Sequence, residues 1–253
     1  MRIFLALLLA AILAAPAQAG VTAAQLSGVE AKSPAHARFD PALVIADVTG
    51  RRATLTAFLH GRPAFLVFAD YTCHTLCGTE LFSLGAALEQ ARLPPDSFQI
   101  VVMGIDPKDT AAAALAMAKA EIPMALQGAT TLLLPDAKTV EQATGGLGFH
   151  YIYDPGIDQF AHPAVVYLLA PNGTVRGVLS PFDLAAVDLK DALAGEPPPG
   201  LVGTIRSLCN GLALLTGMYD GPVLLATKAA AAIVVLSLAG FIALLICRRG
   251  RSS

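Results

Sequence analysis

The sequence has little charge and few of the residue types that bind metals or act as nucleophiles. Its 253 residues include 17 basic and 19 acidic side chains, and no basic run lies inside the body of the chain. The composition therefore gives no reason to expect a nucleic-acid partner. The chain has no internal repeat, which leaves one folded domain as the expectation. With only four cysteines and five histidines, candidates for redox or metal chemistry are few.

Residues 1–19 have the pattern of a secretory signal peptide. Arg2 precedes an apolar stretch at residues 3–15, and the small-residue site Ala-Gln-Ala follows at residues 17–19. We expect cleavage before Gly20. An uncleaved anchor helix is the alternative, but the apolar stretch is short for a bilayer. No cysteine follows the expected cleavage site, which argues against a lipoprotein.

The C-terminal part of the sequence predicts a membrane anchor. Residues 223–247 are almost entirely apolar and long enough to span a bilayer, and the tail at residues 248–253 contains three arginines. A basic cluster beside a span favours the cytoplasmic side of the membrane. We therefore expect a single-pass protein of the bacterial inner membrane whose folded domain lies in the periplasm.

The body of the chain alternates between strand and helix patterns, which predicts an α/β fold. We expect an irregular lead-in at residues 20–40, the domain at residues 41–194, and a proline-rich linker and membrane-proximal segment at residues 195–222. The turn sequence at residues 171–173 predicts a hairpin, and hence a mixed sheet. The predicted strands are residues 42–46, 64–69, 98–105, 131–134, 164–169 and 174–179; the predicted helices are residues 77–92, 110–120, 136–144 and 181–194.

Cys73 and Cys77 are the most informative residues in the sequence. They follow a predicted strand, and Cys77 begins or neighbours a predicted helix, where the helix dipole stabilises a thiolate. Three intervening residues place them close enough for either a disulfide or a shared soft metal ion. Two thiolates suit copper(I), and one added imidazole gives a site that also holds copper(II). Spacing alone does not choose between these possibilities.

A histidine is therefore the expected third ligand of any copper site. His74 lies between the two cysteines and can tune the thiols or bind weakly, whereas His36 and His60 belong to no supporting motif. His150 fits a solvent-facing strand position. His162 is the remaining candidate, and spacing alone gives no reason to choose it.

Three segments of the sequence together resemble the Sco/SenC family of copper proteins. Residues 70–77 resemble the metal-binding cysteine loop, residues 104–110 resemble a strand-to-helix turn of the family, and residues 149–173 resemble its histidine region. The resemblance covers about residues 40–194. It implies a thioredoxin-like fold with helices on both faces of the sheet, and copper ligands Cys73, Cys77 and His162.

The resemblance also has departures. His74 stands where the family usually has proline, which puts the balance between metal and redox roles in question. The predicted anchor is C-terminal, whereas the more familiar one is N-terminal. Asp154 and Asp158 lie near His162 in sequence, and either can orient its ring, although each fits an ordinary solvated loop carboxylate as well.

By this resemblance the protein is a copper chaperone rather than an enzyme. It is expected to deliver copper to a terminal oxidase during cytochrome c oxidase assembly, with an oxidase subunit or another chaperone as its partner. The alternative is an extracytoplasmic thiol-disulfide oxidoreductase that uses Cys73 and Cys77 to keep partner cysteines reduced. A peroxidase is disfavoured because the cysteine loop contains neither proline nor arginine.

Overall fold

The structure is a computed structural model that describes residue 21 and residues 23–73, 77–184 and 188–195. These residues belong to one compact unit within Met1–Pro198. Among them, no helix is long and apolar enough to cross a membrane. The predicted signal peptide, the predicted span at residues 223–247 and the basic tail lie outside the described residues, as does nearly all of the linker. These assignments, like the domain boundaries, stay predictions.

The described elements alternate between strands and helices as the sequence predicts. The helices are α1 (Ala23–Leu26), α2 (Leu55–Leu59), α3 (Cys77–Ala91), α4 (Ala111–Glu121), α5 (Met124–Gln127), α6 (Ala137–Leu147), α7 (Pro181–Leu184) and α8 (Leu189–Ala194). The strands are β1 (Glu30–Ala31), β2 (Val44–Asp47), β3 (Arg52–Thr54), β4 (Ala64–Ala69), β5 (Gln99–Gly104), β6 (Thr130–Leu134), β7 (Phe149–His150), β8 (Ile152–Asp154), β9 (Gln159–Ala161), β10 (Val166–Leu169) and β11 (Val175–Leu179).

A seven-stranded mixed sheet forms the centre of the fold. Its strand order is β11-β10-β4-β5-β6-β2-β3. Strands β4, β5 and β6 are parallel, whereas β10 runs antiparallel to both β4 and β11. Every residue of β4 and β5 is buried, as expected for parallel strands covered on both faces. The predicted mixed α/β sheet is confirmed.

Helices pack on both faces of this sheet. Helices α3, α4, α5, α7 and α8 contribute to the apolar core on one face. Helices α2 and α6 contribute to the core on the other face. The sheet is therefore the middle of three layers.

Local chemistry explains where the two longest capped helices begin and where one of them ends. The Thr110 side chain accepts a hydrogen bond from Ala113 N at the start of α4, and Asp136 accepts one from Thr139 N at the start of α6. Helix α6 ends at Gly148, which has a φ of 67°. A Cβ there would lie 2.0 Å from a backbone oxygen, so this position requires glycine.

The sequence-based element assignments differ from the structure in several places. Helix α1 and strand β1 lie in the predicted irregular lead-in, and helix α5 had no predicted counterpart. The predicted helix at residues 181–194 is described as two short helices, α7 and α8, with residues 185–187 between them outside the description. The β3-α2 segment was not predicted, because a three-residue strand and a five-residue helix are too short for a clear apolar period. The short strands β7, β8 and β9 were also not predicted, and they occupy the segment that leads to His162.

Candidate metal centre

The cysteine loop begins where the buried strand β4 ends. The backbone N–H of Cys73 donates to the Asp70 carbonyl at 3.1 Å. The Asp70 carboxylate Oδ1 accepts from the Thr72 backbone N–H at 2.9 Å and from its hydroxyl at 2.8 Å. These bonds fold residues 70–73 into a compact turn and leave Cys73 half-buried.

Cys77 is the first residue of helix α3. The structure therefore confirms the predicted strand-loop-helix setting of the cysteine pair. Residues 74–76 and the Cys77 side chain lie outside the description, so the predicted role of His74 is untested.

The sheet register brings His162 toward this loop. Strand β10 pairs antiparallel with β4, and Val166 lies opposite Val67. The chain just before Val166 must therefore run beside the chain just after Val67, which is the segment that leads into Asp70. In agreement, the charge of Asp70 acts on the His162 imidazole. Cys73 is thus hydrogen-bonded to the backbone of Asp70, and the charge of the Asp70 carboxylate acts on His162 from a different element.

His162 is half-buried, in an environment that favours the neutral form of its ring. Burial lowers its pKa below the ordinary value of 6.5, while a contact with the Pro163 carbonyl and the charge of Asp70 raise it in part. The ring Nδ1 lies 3.1 Å from the Pro163 oxygen, and the ring centroid lies 6.0 Å from that of Phe149. A neutral imidazole keeps a lone pair with which it can bind a metal ion.

The described donors suit a soft metal ion, but they do not form a complete site by themselves. Among the described residues, no three histidine, cysteine, aspartate or glutamate side chains are grouped so that they could hold a metal ion. The Cys77 side chain is outside that set. A thiol and a neutral imidazole are ligands that copper accepts in both of its common oxidation states. The ligand set Cys73, Cys77 and His162 stays a prediction.

Sequence reasoning missed three carboxylates at the carboxyl ends of β4 and β5. They are Asp70, Asp106 and Asp109, and the first two are buried. Asp70 Oδ2 and Asp109 Oδ1 are buried without a hydrogen-bond partner in the described part of the chain. Burial, together with the charges of Asp70 and Asp106, raises the pKa of Asp109 to about 7. The sequence does contain a signal for these carboxylates, because Asp70 and Asp106 each follow closely on an apolar strand.

Asp154 and Asp158 are both occupied away from the imidazole. The buried Asp154 accepts from the backbone N–H groups of Val21 and Gly156 at 2.9 and 2.8 Å. The exposed Asp158 binds the Lys108 ammonium and the Tyr153 hydroxyl, each at 2.5 Å. The carboxylate whose charge reaches His162 is Asp70, which the sequence did not suggest for this role.

An open groove of about 640 Å³ begins at Cys73 and runs between α3 and α4. Phe82 lies on its rim with 60% of its surface exposed. The lining is mostly apolar and consists of Tyr71, Thr72, Cys73, Gly78, Thr79, Phe82, Ala113, Ala116, Met117, Ala120 and Glu121. A macromolecule that contacts Cys73 would therefore meet an accessible apolar surface.

The mixed sheet is the middle of three layers, and the cysteine loop connects its buried strand β4 to the covering helix α3. This arrangement defines a protein with a thioredoxin-like fold. The SCO1/SenC family model matches residues 31–193, which is well over half of the chain. The chain belongs to the SCO1/SenC family.

Solved structures have the same fold. The chain is 17% identical to an Aquifex aeolicus VF5 protein, with a TM-score of 0.55, and the match covers 64% of this chain and 94% of that one. It is 18% identical to copper-bound Arabidopsis thaliana ScoI, with a TM-score of 0.51 and coverages of 59% and 93%. It is 22% identical to copper-bound Bradyrhizobium japonicum ScoI, with a TM-score of 0.50 and coverages of 63% and 100%. No curated protein sequence matches the chain significantly.

Proposed function

We propose that this protein is a membrane-tethered copper chaperone that delivers copper to a terminal oxidase during cytochrome c oxidase assembly. Membership of the SCO1/SenC family and the copper bound in two ScoI structures support the proposal. The single observation that carries it within this chain is the position of His162. Exchange between thiols and disulfides does not need an imidazole at this point, whereas a copper site does.

Each predicted ligand has a distinct task in this proposal. The thiolates of Cys73 and Cys77 capture copper(I), the cargo, and His162 supplies the third donor. Because burial lowers the pKa of His162, its imidazole binds copper at neutral pH with little competition from protons. Delivery then proceeds by exchange of these ligands for thiols of the recipient.

The tether follows from the ends of the sequence. The predicted signal peptide at residues 1–19 and the predicted span at residues 223–247 support a domain in the periplasm that is attached to the inner membrane. Attachment restricts the search for a membrane-bound recipient to the plane of the membrane and raises the effective concentration of each protein for the other.

A thiol-disulfide oxidoreductase is the second candidate. The observation that favours it is the open groove beside Cys73, because a partner's thiol must reach this sulfur directly for exchange. His74 in the place of the usual proline also favours this candidate. The two roles are compatible, since a recipient's cysteines must be reduced before they accept copper.

A copper(I) competition experiment separates the two candidates. The full-length protein in detergent, reduced beforehand, is titrated with copper(I) against a chromophoric chelator, together with the variants His162→Ala and Cys73→Ser. His150→Ala is the matched control, because His150 is an exposed strand histidine. We expect one tight equivalent in the wild type and the control, and a loss of at least tenfold in affinity in the other two variants. Weak copper(I) binding with the same affinity in the wild type and in His162→Ala, combined with rapid dithiol exchange, would establish the oxidoreductase instead.

A further inference from the structure

An exposed lysine joins two loops that are distant in the sequence. Lys108 lies in the turn between β5 and α4, and Asp158 lies at the tip of the β8-β9 hairpin. The Lys108 ammonium donates to Asp158 Oδ1 at 2.5 Å, and the Tyr153 hydroxyl donates to the same oxygen at 2.5 Å. Lys108 Nζ also lies 5.5 Å from the centroid of the Tyr153 ring. We call these three side chains the lysine bridge.

The turn that contains Lys108 is anchored to the cysteine loop. The buried Asp106 accepts from the Lys108 backbone N–H at 2.8 Å, and its Oδ2 lies 3.6 Å from Lys108 Nζ. In the same turn, Asp109 Oδ2 accepts from the backbone N–H of Tyr71 at 3.4 Å. Tyr71 belongs to the compact turn that ends at Cys73. Hydrogen bonds therefore connect one end of the lysine bridge to the segment of the first predicted thiol ligand.

The other end of the lysine bridge belongs to the hairpin that leads into His162. Strands β8 and β9 pair with Tyr153 opposite Phe160 and with Ile152 opposite Ala161. Ala161 is the last residue of β9, and His162 follows it directly. Because paired strands move together, the position of the hairpin tip constrains the position of His162.

Neither backbone conformation nor global stability accounts for aspartate at the hairpin tip. Asp158 has a φ of 50°, in the left-handed region that glycine adopts at lower cost. Glycine, however, offers no side-chain acceptor to Lys108 or Tyr153. The Lys108 and Asp158 side chains are both exposed, and exposed ion pairs contribute little to the free energy of unfolding. The lysine bridge is therefore better explained by the segment that it holds in place.

We propose that Lys108 and Asp158 are positioning residues that hold the His162 hairpin against the turn anchored to the cysteine loop. The effect on copper rests on the proposed function, whereas the lysine bridge itself can be measured in the metal-free protein. While the bridge is intact, His162 stays near the cysteine loop, and copper(I) binding requires less ordering of the protein. Both residues act through the hairpin and not as metal ligands.

Substitutions at either end of the lysine bridge test the proposal in the full-length protein. Lys108→Met removes the ammonium. Asp158→Asn removes the negative charge, while asparagine tolerates the left-handed conformation and can still accept from Tyr153. Lys108→Arg keeps the positive charge and is the conservative variant. Lys138→Met, at an exposed position of α6, is the control.

Three measurements distinguish positioning from ordinary structural support. Amide hydrogen exchange in β8 and β9 is followed without metal, copper(I) affinity is measured by chelator competition, and the thermal unfolding midpoint is recorded. Exchange and affinity are measured at low salt and in about 1 M sodium perchlorate, whose anion does not bind copper(I). At this ionic strength the Debye length is about 3 Å, so the attraction between exposed charges is weakened.

Loss of the lysine bridge should loosen the hairpin and weaken copper(I) binding without changing the unfolding midpoint. At low salt, Lys108→Met and Asp158→Asn should each show about three- to fivefold faster exchange in β8 and β9, and copper(I) binding weaker by about the same factor. Both ratios should approach one in high salt. The double variant should bind no more weakly than either single variant, whereas Lys108→Arg and the control should stay within about twofold of the wild type.

Unchanged exchange in both single variants would overturn the proposal, and so would faster exchange with unchanged copper(I) affinity. Additive losses in the double variant, or losses that persist in high salt, would overturn it as well, because each indicates an effect other than the ion pair. If the wild type binds no copper(I), the proposed function fails, whereas salt-sensitive exchange in β8 and β9 still decides whether the lysine bridge holds the hairpin.

Discussion

Replacing Asp109 by asparagine should stabilise the protein above neutral pH and have little effect in acid. Asp109 Oδ2 accepts a hydrogen bond from the Tyr71 backbone N–H at 3.4 Å, and Oδ1 is buried without a partner in the described part of the chain. Burial first, and then the charges of Asp70 and Asp106, raise the pKa of Asp109 from 3.8 to about 7. The asparagine amide keeps an oxygen for the Tyr71 N–H and carries no charge.

The raised pKa fixes the direction of the pH dependence. The folded protein retains a proton on Asp109 that the unfolded chain releases near pH 4, so ionisation opposes folding between about pH 4 and pH 7. A full difference from 3.8 to about 7 is equivalent to about 4 kcal/mol. Because the side chain is only half-buried, screening by water reduces this figure, and we expect about 2 kcal/mol.

The assay is urea unfolding of wild type and Asp109→Asn, in the same detergent, at pH 4.5 and at pH 8. The variant should gain about 2 kcal/mol relative to the wild type between the two pH values. Asp136→Asn is the control, since hydrogen bonds at the start of α6 lower the pKa of Asp136, and loss of this carboxylate cannot produce a gain at high pH. An equal stability difference at both pH values for Asp109→Asn would refute the reasoning.

Three further predictions concern backbone geometry, a buried hydroxyl and the candidate ligand. Gly148→Ala should cost about 3 kcal/mol or more in urea unfolding, since it combines a positive φ with a backbone clash; Gly146→Ala, with open space around it, should gain up to about 1 kcal/mol. Tyr71→Phe should cost about 1–2 kcal/mol, because its hydroxyl donates to buried carbonyls at 2.7 and 3.1 Å. His162 should titrate below 6.5 by NMR, and Asp70→Asn should lower its pKa further; an increase would contradict the assigned role of Asp70.

Much of the fold could be predicted because its central strands have a clear apolar pattern in the sequence. Residues 64–69 were predicted as a strand and are β4, and residues 98–105 contain β5. Both are continuous apolar runs, which is what burial on two faces requires. The hairpin at residues 171–173 was also predicted, and the Ala170 N–H donates to the Thr174 carbonyl across it at 2.8 Å. Short elements such as β3 and β9 have no such signature.

The residues of the candidate site also differ in whether local sequence is enough to identify them. Cys73 could be identified from the cysteine spacing and its place after a strand, because sequence-local geometry determines both. His162 became a candidate only through the family resemblance, since its approach to the cysteine loop depends on the pairing of β10 with β4. These strands lie about a hundred residues apart in the sequence, and no local pattern encodes that pairing.

The two buried carboxyl groups beside the site mark the limit of sequence reasoning. Asp70 and Glu80 each stand next to an apolar segment, where a charged residue ordinarily indicates the surface. Both are buried instead, and each has at least one oxygen without a partner among the described residues. Because two such groups oppose folding at neighbouring places, stability alone does not account for them. Asp70 begins the cysteine loop and Glu80 lies in the first turn of α3, which begins at Cys77, so organisation of the candidate copper site is the property to test.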